Sequence, residues 1–242
     1  MMTDPISEPR TLLVEPDTLL RRTWEGALRG RGHVVMGTGQ KDAAQVLAAS
    51  FHPDVIVWNA NGANGDGGVR TLREATDAYI VVVGTEVPSE RRIVLLTAGA
   101  DAVLPLPCPP NELLAQTAAL LRRPRAVIVS PPPSGSRRRF GPLEIDIGRR
   151  ESVVNGRRLA ITRIEFDILS HLCNHPQDVV SRDELIDAVW GPDWDGDTHM
   201  VDVHVSNLRR KLEQAAPGVT VIQTVRGLGF QLSSEVVDGL TL

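Results

Sequence analysis

Three shortages bound this 242-residue chain before any motif is read. It has only two cysteines, Cys108 and Cys173, at no metal or disulfide spacing, which excludes a disulfide scaffold and fits a reducing cytosol. No apolar run approaches the 18 residues that a membrane span needs, and no charged-then-apolar start resembles a signal peptide. The expectation is a cytoplasmic protein with no membrane partner. An excess of positive charge is missing too. The formal net charge is -4, and residues 1–123 carry 12 Lys+Arg against 14 Asp+Glu. Residues 124–242 carry 14 against 16, so affinity for a polyanion has to come from local clustering. Lysine is almost absent, at two residues beside 24 arginines, and aromatics make up 4%.

What is present falls into two halves. Over residues 10–122 short apolar runs alternate with helical patterns. Thr11–Val14, His33–Met36, Val55–Trp58, Ile80–Val83 and Ala102–Leu104 read as buried parallel strands. Helices are expected at 17–30, 41–50, 66–75, 89–99 and 109–122. That alternation is a doubly wound (βα)5 sheet, whose functional edge lies beyond the strand C-termini. A Pro/Ser/Arg tether follows at 124–139, ending in Arg137-Arg138-Arg139. Residues 140–235 read as an α+β domain. Short strands lead to two capping boxes, Thr162-x-x-Glu165 and Ser181-x-x-Glu184, which start helices at 163–174 and 182–189.

The third helix of that domain, about 198–213, has two faces. Val201, Val205, Leu208 and Leu212 form an apolar stripe, and the opposite stripe carries His199, Val203, Ser206, Asn207 and Arg210, with His204 and Arg209 on the flanks. Short polar, small apolar and cationic side chains suit a helix laid in a major groove. Thr224-Val225-Arg226-Gly227-Leu228-Gly229-Phe230 follows as a glycine-bearing hairpin. A reading helix followed by a hairpin is a winged helix-turn-helix. The triplet His171-x-Cys173-x-His175 is discounted as a metal set, because on one helix its side chains point three ways. No metal, cofactor or catalytic residue is expected: no Ser/His/Asp set or carboxylate pair falls at the strand ends, so the chain does not read as an enzyme.

These motifs resemble the OmpR/PhoB family of bacterial response regulators over nearly the whole chain. The resemblance rests on Thr162-x-x-Glu165-Phe166-x-x-Leu169, Val180-Ser181-Arg182, Val189-Trp190-Gly191, Val201-Asp202-Val203-His204-Val205, Leu208-Arg209-Arg210-Lys211-Leu212 and the Thr224–Phe230 hairpin. It implies a regulator of transcription that binds double-stranded promoter DNA. Val203 and Asn207 would read base edges, the Asn amide suiting adenine, and Arg226 would enter a minor groove. Arg182, Trp190, His199, His204, Arg209, Arg210, Thr224 and Phe230 match positions that touch the phosphate backbone in relatives. The acidic loop Asp193-x-Asp195-x-Asp197 lies where relatives meet RNA polymerase.

The N-terminal half resembles the family's receiver domain with its chemistry removed. Pro16, within Glu15-Pro16-Asp17, stands where a metal-holding carboxylate is usual, and Asn59 replaces the phosphoacceptor Asp. Gly84 ends strand 4, with the hydroxyl of Thr85 one residue on, and Leu106 replaces the usual Lys. Asp54 and Asp66 survive nearby, one at a strand start and one in a loop. The resemblance also implies a homodimer through helix 4, strand 5 and helix 5. There Arg92 and Glu112 match one ion pair and Asp101 is retained, while Ala102 and Gln116 replace charged partners. The expected function is phosphorylation-independent, sequence-specific binding to paired half-sites, as direct repeats. The alternative is a receiver-like module that senses a small-molecule effector, or docks a protein, through a more neutral cleft around Pro16, Asn59, Gly84 and Leu106.

Overall fold

A computed structural model describes residues 8–62, 65–122, 137–192, 194, 198–237 and 240–241. The chain divides into two compact units, residues 1–123 and 124–242.

The first unit is a five-stranded parallel sheet in the order β2-β1-β3-β4-β5. Its strands are β1 (Arg10–Val14), β2 (Val34–Thr38), β3 (Val55–Asn59), β4 (Tyr79–Gly84) and β5 (Ala102–Pro105). Every residue of β3 and β4 is buried, as continuous Val/Ile runs require in a sheet covered on both faces. Helices α1 (Thr18–Arg29), α2 (Ala44–Phe51), α3 (Gly65–Ala75), α4 (Ser89–Ala98) and α5 (Pro110–Leu121) supply the cover. The helix expected at 41–50 is split: Lys41–Ala43 form a 3₁₀ turn before α2. Trp24 and Leu28, one turn apart on α1, are buried together, and Trp24 Nε1 donates to the Cys108 carbonyl at 3.3 Å. Sheet order reverses beside β1, so the C-terminal ends of β1 and β3 open onto the switch-point crevice.

The second unit begins with β6 (Arg137–Phe140), β7 (Leu143–Asp146), β8 (Glu151–Val154) and β9 (Arg157–Arg158). The three arginines read as the end of a tether are therefore strand residues, because β6 pairs along its length with β7. Residues 124–136 of the expected linker lie outside the described residues. Helices α6 (Arg163–Asn174), α7 (Arg182–Val189) and α8 (Met200–Ala215) precede the hairpin of β10 (Ile222–Val225) and β11 (Gly229–Leu232). After the short α9 (Ser234–Val237), β12 (Leu240–Thr241) pairs with β6, beyond the expected end at 235.

Thr162 caps α6 as a full box: its hydroxyl accepts from Glu165 N at 3.2 Å, and Glu165 Oε2 accepts from Thr162 N at 2.7 Å. Such a cap contributes about 1 kcal/mol. Lys211 on α8 reaches the same buried carboxylate at 2.6 Å, tying α8 to the start of α6. At α7 the hydroxyl half is present, Ser181 Oγ accepting from Glu184 N at 3.1 Å, while the Glu184 carboxylate lies 3.5 Å from His171. Gly229 is required by close approach. A Cβ there would sit 2.0 Å from the Val180 carbonyl, where Val180 and Phe230 exchange backbone hydrogen bonds of 2.8 and 2.9 Å.

Candidate nucleic-acid interface and a closed polar pocket

Helix α8 buries Met200, Val201, His204, Val205, Asn207, Leu208 and Leu212, an arc wider than its apolar stripe. Over residues 199–210 a stripe at i, i+3, i+4, i+7 and i+11 remains at the surface. His199, Ser206 and Arg210 are exposed on it, with Asp202 and Val203 half-buried. Two expected contact residues are thereby corrected. Asn207 is 6% exposed, its Oδ1 accepting from Arg210 Nη2 at 3.4 Å, so it does not stand on the free face as a base reader. His204 is 1% exposed, its ring 5.8 Å from that of Trp190. Angular spacing put Asn207 on the open side and His204 on a flank; α8 packs against α6 and α7, which covers that flank as well. Ser206 takes the central free position, with no local signal to single it out from its neighbours.

Cations gather where α7, α8 and the hairpin meet. The guanidinium carbons of Arg182 and Arg209 lie 4.9 and 5.5 Å from the centroid of the buried Phe230 ring. Asp202 holds Arg182 through both oxygens, at 2.7 to 3.2 Å, and this hydrogen bonding pushes the Arg182 pKa above its ordinary value. Arg209 donates from Nε to the Ile222 carbonyl at 3.0 Å and from Nη2 to Thr224 Oγ1 at 2.8 Å. Burial lowers its pKa, partly offset by the charge of Asp202. Trp190 and Phe230, expected at the phosphate backbone, are buried: Phe230 is the ring beneath both arginines, and Trp190 packs 5.8 Å from the His204 ring. Thr224, Arg226 and Leu228 stand exposed on the hairpin, and Gly227 turns it at φ 75°. Asp202 was missed as an organiser because Arg182, its partner, lies 20 residues away. Asp193, Asp195 and Asp197 of the acidic loop lie outside the described residues.

At the C-terminal ends of β1 and β3 the polar groups close on one another. Glu15 is 1% exposed, and its Oε2 accepts from Asn59 Nδ2 at 2.7 Å while its Oε1 accepts from Asp17 N at 2.9 Å. Asn59 Oδ1 accepts from Asn61 N at 2.7 Å. Asn61 Oδ1 accepts in turn from Thr85 N at 2.9 Å and Thr85 Oγ1 at 3.0 Å. The Asp17 carboxylate is used as the cap of α1, accepting from Leu20 N at 2.8 Å. Pro16 is exposed, and Leu106 is held by its backbone N–H, which donates to the Gly84 carbonyl at 2.7 Å.

The expected neutral cleft is corrected by three cations. Arg21 donates to the Glu15 carbonyl at 2.5 Å, Arg91 to that of Ala60 at 2.8 Å, and Lys41 to that of Asn61. Burial lowers the Lys41 pKa, Glu15 opposing and Arg91 reinforcing the shift. Lys41 was missed because it arrives from the turn before α2, 26 residues from Glu15 in the chain. Asp54 accepts from Arg10 N at 2.9 Å at the opposite end of the strands, and Asp66 lies 3.8 Å from Arg91.

On the expected dimer face, Arg92 is half-buried and Glu112 exposed. Asp101 is corrected: it is fully buried, pairs with Arg73 at 2.6 Å and accepts from Ile80 N at 2.8 Å, so it is a brace inside the unit. Both cysteines are buried. Burial and the neighbouring Glu112 charge push the Cys108 thiol up to about 11, and burial pushes Cys173 higher still.

Comparison with known proteins gives four concordant matches. Residues 156–232 match the family model described as the C terminal of transcriptional regulatory proteins. Over 232 residues the chain is 39% identical to the transcriptional regulatory protein PrrA of Mycobacterium leprae, covering 94% of this chain and 97% of that one. It is 32% identical over 227 residues to the DNA-binding response regulator MtrA of Mycobacterium tuberculosis, covering 92% and 96%. Among solved structures a cysteine-to-aspartate mutant of RitR superposes with a TM-score of 0.75 at 23% identity, covering 93% of this chain and 99% of that one, a likeness of fold. No described helix is long and apolar enough to cross a membrane.

Proposed function

This chain belongs to the OmpR/PhoB-type response regulators, DNA-binding regulators of transcription, and we propose that it works without being phosphorylated. In this reading it binds paired promoter half-sites, arranged as direct repeats, as a homodimer joined through its N-terminal units. One observation carries it: the 2.7 Å hydrogen bond from the Asn59 carboxamide to the buried Glu15 carboxylate. A carboxamide offers no nucleophile, and here it supplies the donor that a bound divalent cation would otherwise supply as charge. With Asp17 committed to capping α1, the carboxylate set for an octahedral hard cation is dispersed.

Val203 and Ser206 on α8 are the residues we assign to base edges in the major groove, Arg210 beside them to a phosphate, and Arg226 to the minor groove. Arg182, Arg209 and Thr224 set the register on phosphates. Ile93 and Val94 on α4, 50% and 48% exposed beside Arg92, favour a dimer face that leans on apolar contact. Control by a small molecule is the less supported reading, because a ligand entering the pocket has to break the Glu15–Asn59–Asn61–Thr85 chain of hydrogen bonds.

Footprinting of the full-length protein on genomic fragments, with no phosphodonor, tests the reading. The expected pattern is two protected half-sites about 10–11 base pairs apart centre to centre. Protection of isolated single half-sites would refute the dimer.

A further inference from the structure

Away from both sites, three metal-ligating side chains converge where α6 ends against α7. His171 lies in the last turn of α6, His175 is its C-cap, and Glu184 lies in the first turn of α7. One ligand atom from each falls within 4.8 Å of the other two. His171 Nε2 is 3.5 Å from Glu184 Oε1, and the imidazole centroids are 4.8 Å apart. We infer that His171, His175 and Glu184 form a binding site for a first-row divalent transition cation of the zinc class.

The geometry fits that class. With metal–ligand bonds of about 2.0–2.1 Å, two ligands at a tetrahedral angle lie about 3.4 Å apart, close to the His171–Glu184 separation. The expectation that these side chains point three ways is corrected for the histidines: four residues apart, about one helical turn, their rings share a side, and only Cys173 diverges. Two imidazoles and a carboxylate select borderline ions such as Zn²⁺, Co²⁺ or Ni²⁺ over Mg²⁺, which prefers oxygen. Glu184 is about half exposed, so water can complete the coordination sphere.

A fourth residue supports the arrangement. Asp178 Oδ2 lies 3.7 Å from His175 Nδ1, placed to orient that ring as outer carboxylates do at zinc sites. Cys173, between the histidines in sequence, faces the core and takes no part. The sequence therefore misleads by offering His-x-Cys-x-His; the third ligand comes from another helix. A bound ion would pin α6 to α7 just behind Arg182, which begins α7 and sits over Phe230.

The test uses the full chain without a histidine tag, titrated with Zn²⁺ by calorimetry and with Co²⁺ by visible absorption. The expected result is one ion per chain, a tetrahedral-type Co²⁺ spectrum, and no displacement by millimolar Mg²⁺. His171→Gln and Glu184→Gln each weaken binding more than about tenfold, and Asp178→Asn by about tenfold, as outer partners of metal ligands do. Glu184→Gln keeps the α7 cap, because Ser181 bonds the backbone N–H of residue 184, so this variant stays informative if His171→Gln fails to fold. Absence of micromolar binding by the wild-type chain would overturn the assignment. So would undiminished binding by Glu184→Gln.

Discussion

The crevice beside β1 and β3 and the face of α8 are both rich in charge, yet they spend it in opposite ways. In the crevice nearly every polar group is used by another: Glu15 by Asn59, Asn59 by Asn61, Asn61 by Thr85, and Lys41, Arg21 and Arg91 by backbone carbonyls. At α8 the inner arginines are anchored on Phe230 and Asp202, while Arg210 and Arg226 stand exposed. Buried groups matched to each other resist exchange, because breaking one pair strands its partner. Groups anchored at one end and solvated at the other are ready to exchange water for phosphate or a base edge. On the function proposed above, the contrast is one between polar groups paired with each other and polar groups open to a partner.

The sharpest way to break the second half of this contrast is Gly229→Ala. A Cβ 2.0 Å from the Val180 carbonyl forces the hairpin off the unit. Destabilisation of about 3 kcal/mol is expected in the C-terminal unit, within the range for overpacking, and is checked by denaturant unfolding. Differential scanning calorimetry should show the first unit's transition unmoved.

Next in size is Arg226→Ala, expected to cost about 1–3 kcal/mol of DNA affinity and to relax preference at one position. Arg210→Ala should weaken all sequences alike if it binds phosphate, and lower the salt slope by about 1. Fluorescence anisotropy across a salt series separates the two behaviours. Asn207→Ala should leave sequence preference unchanged, whereas Ser206→Ala should alter it.

Asn59→Asp probes the first half. It places two carboxylates where a 2.7 Å hydrogen bond now stands, and should destabilise the N-terminal unit by about 1–3 kcal/mol at neutral pH without divalent ions. Thermal melts with and without Mg²⁺ check this; the variant, unlike the wild type, should regain stability as the ion is added.

The smallest effect concerns His33, whose pKa burial holds below its ordinary 6.5 against the pull of Asp54. The unfolded chain takes up a proton near that value while the folded chain resists it. Its contribution is therefore intact above 6.5 and lost as pH falls through the lower folded value. His33→Gln should flatten the acid side of the stability curve, and an unchanged slope would assign the loss elsewhere.

Much of this was legible in the sequence because it is local. The five Val/Ile runs, the Thr162 and Ser181 caps and the Gly227 turn each depend on neighbours within a few residues, and the helices at 163–174 and 182–189 lie at their expected bounds. What was not legible depends on packing between distant segments. Helical angle alone placed Asn207 toward solvent and His204 on a flank, since nothing nearby signals that α7 covers that side. Asp101 carries the same aspartate whether it braces Arg73 or faces a partner subunit. Lys41, and Glu184 beside His171 and His175, enter their clusters from other elements, beyond the reach of any local spacing.

The most direct measurement is the DNA affinity of the full-length protein with and without a small-molecule phosphodonor and Mg²⁺, with the intact mass recorded on the same samples. No mass increase of one phosphoryl group is expected, and the dissociation constants should be equal within about twofold, a difference of roughly 0.4 kcal/mol. A phosphorylated species that binds tenfold tighter would contradict this, and would mean that a residue other than Asn59 has taken over the phosphoacceptor's role.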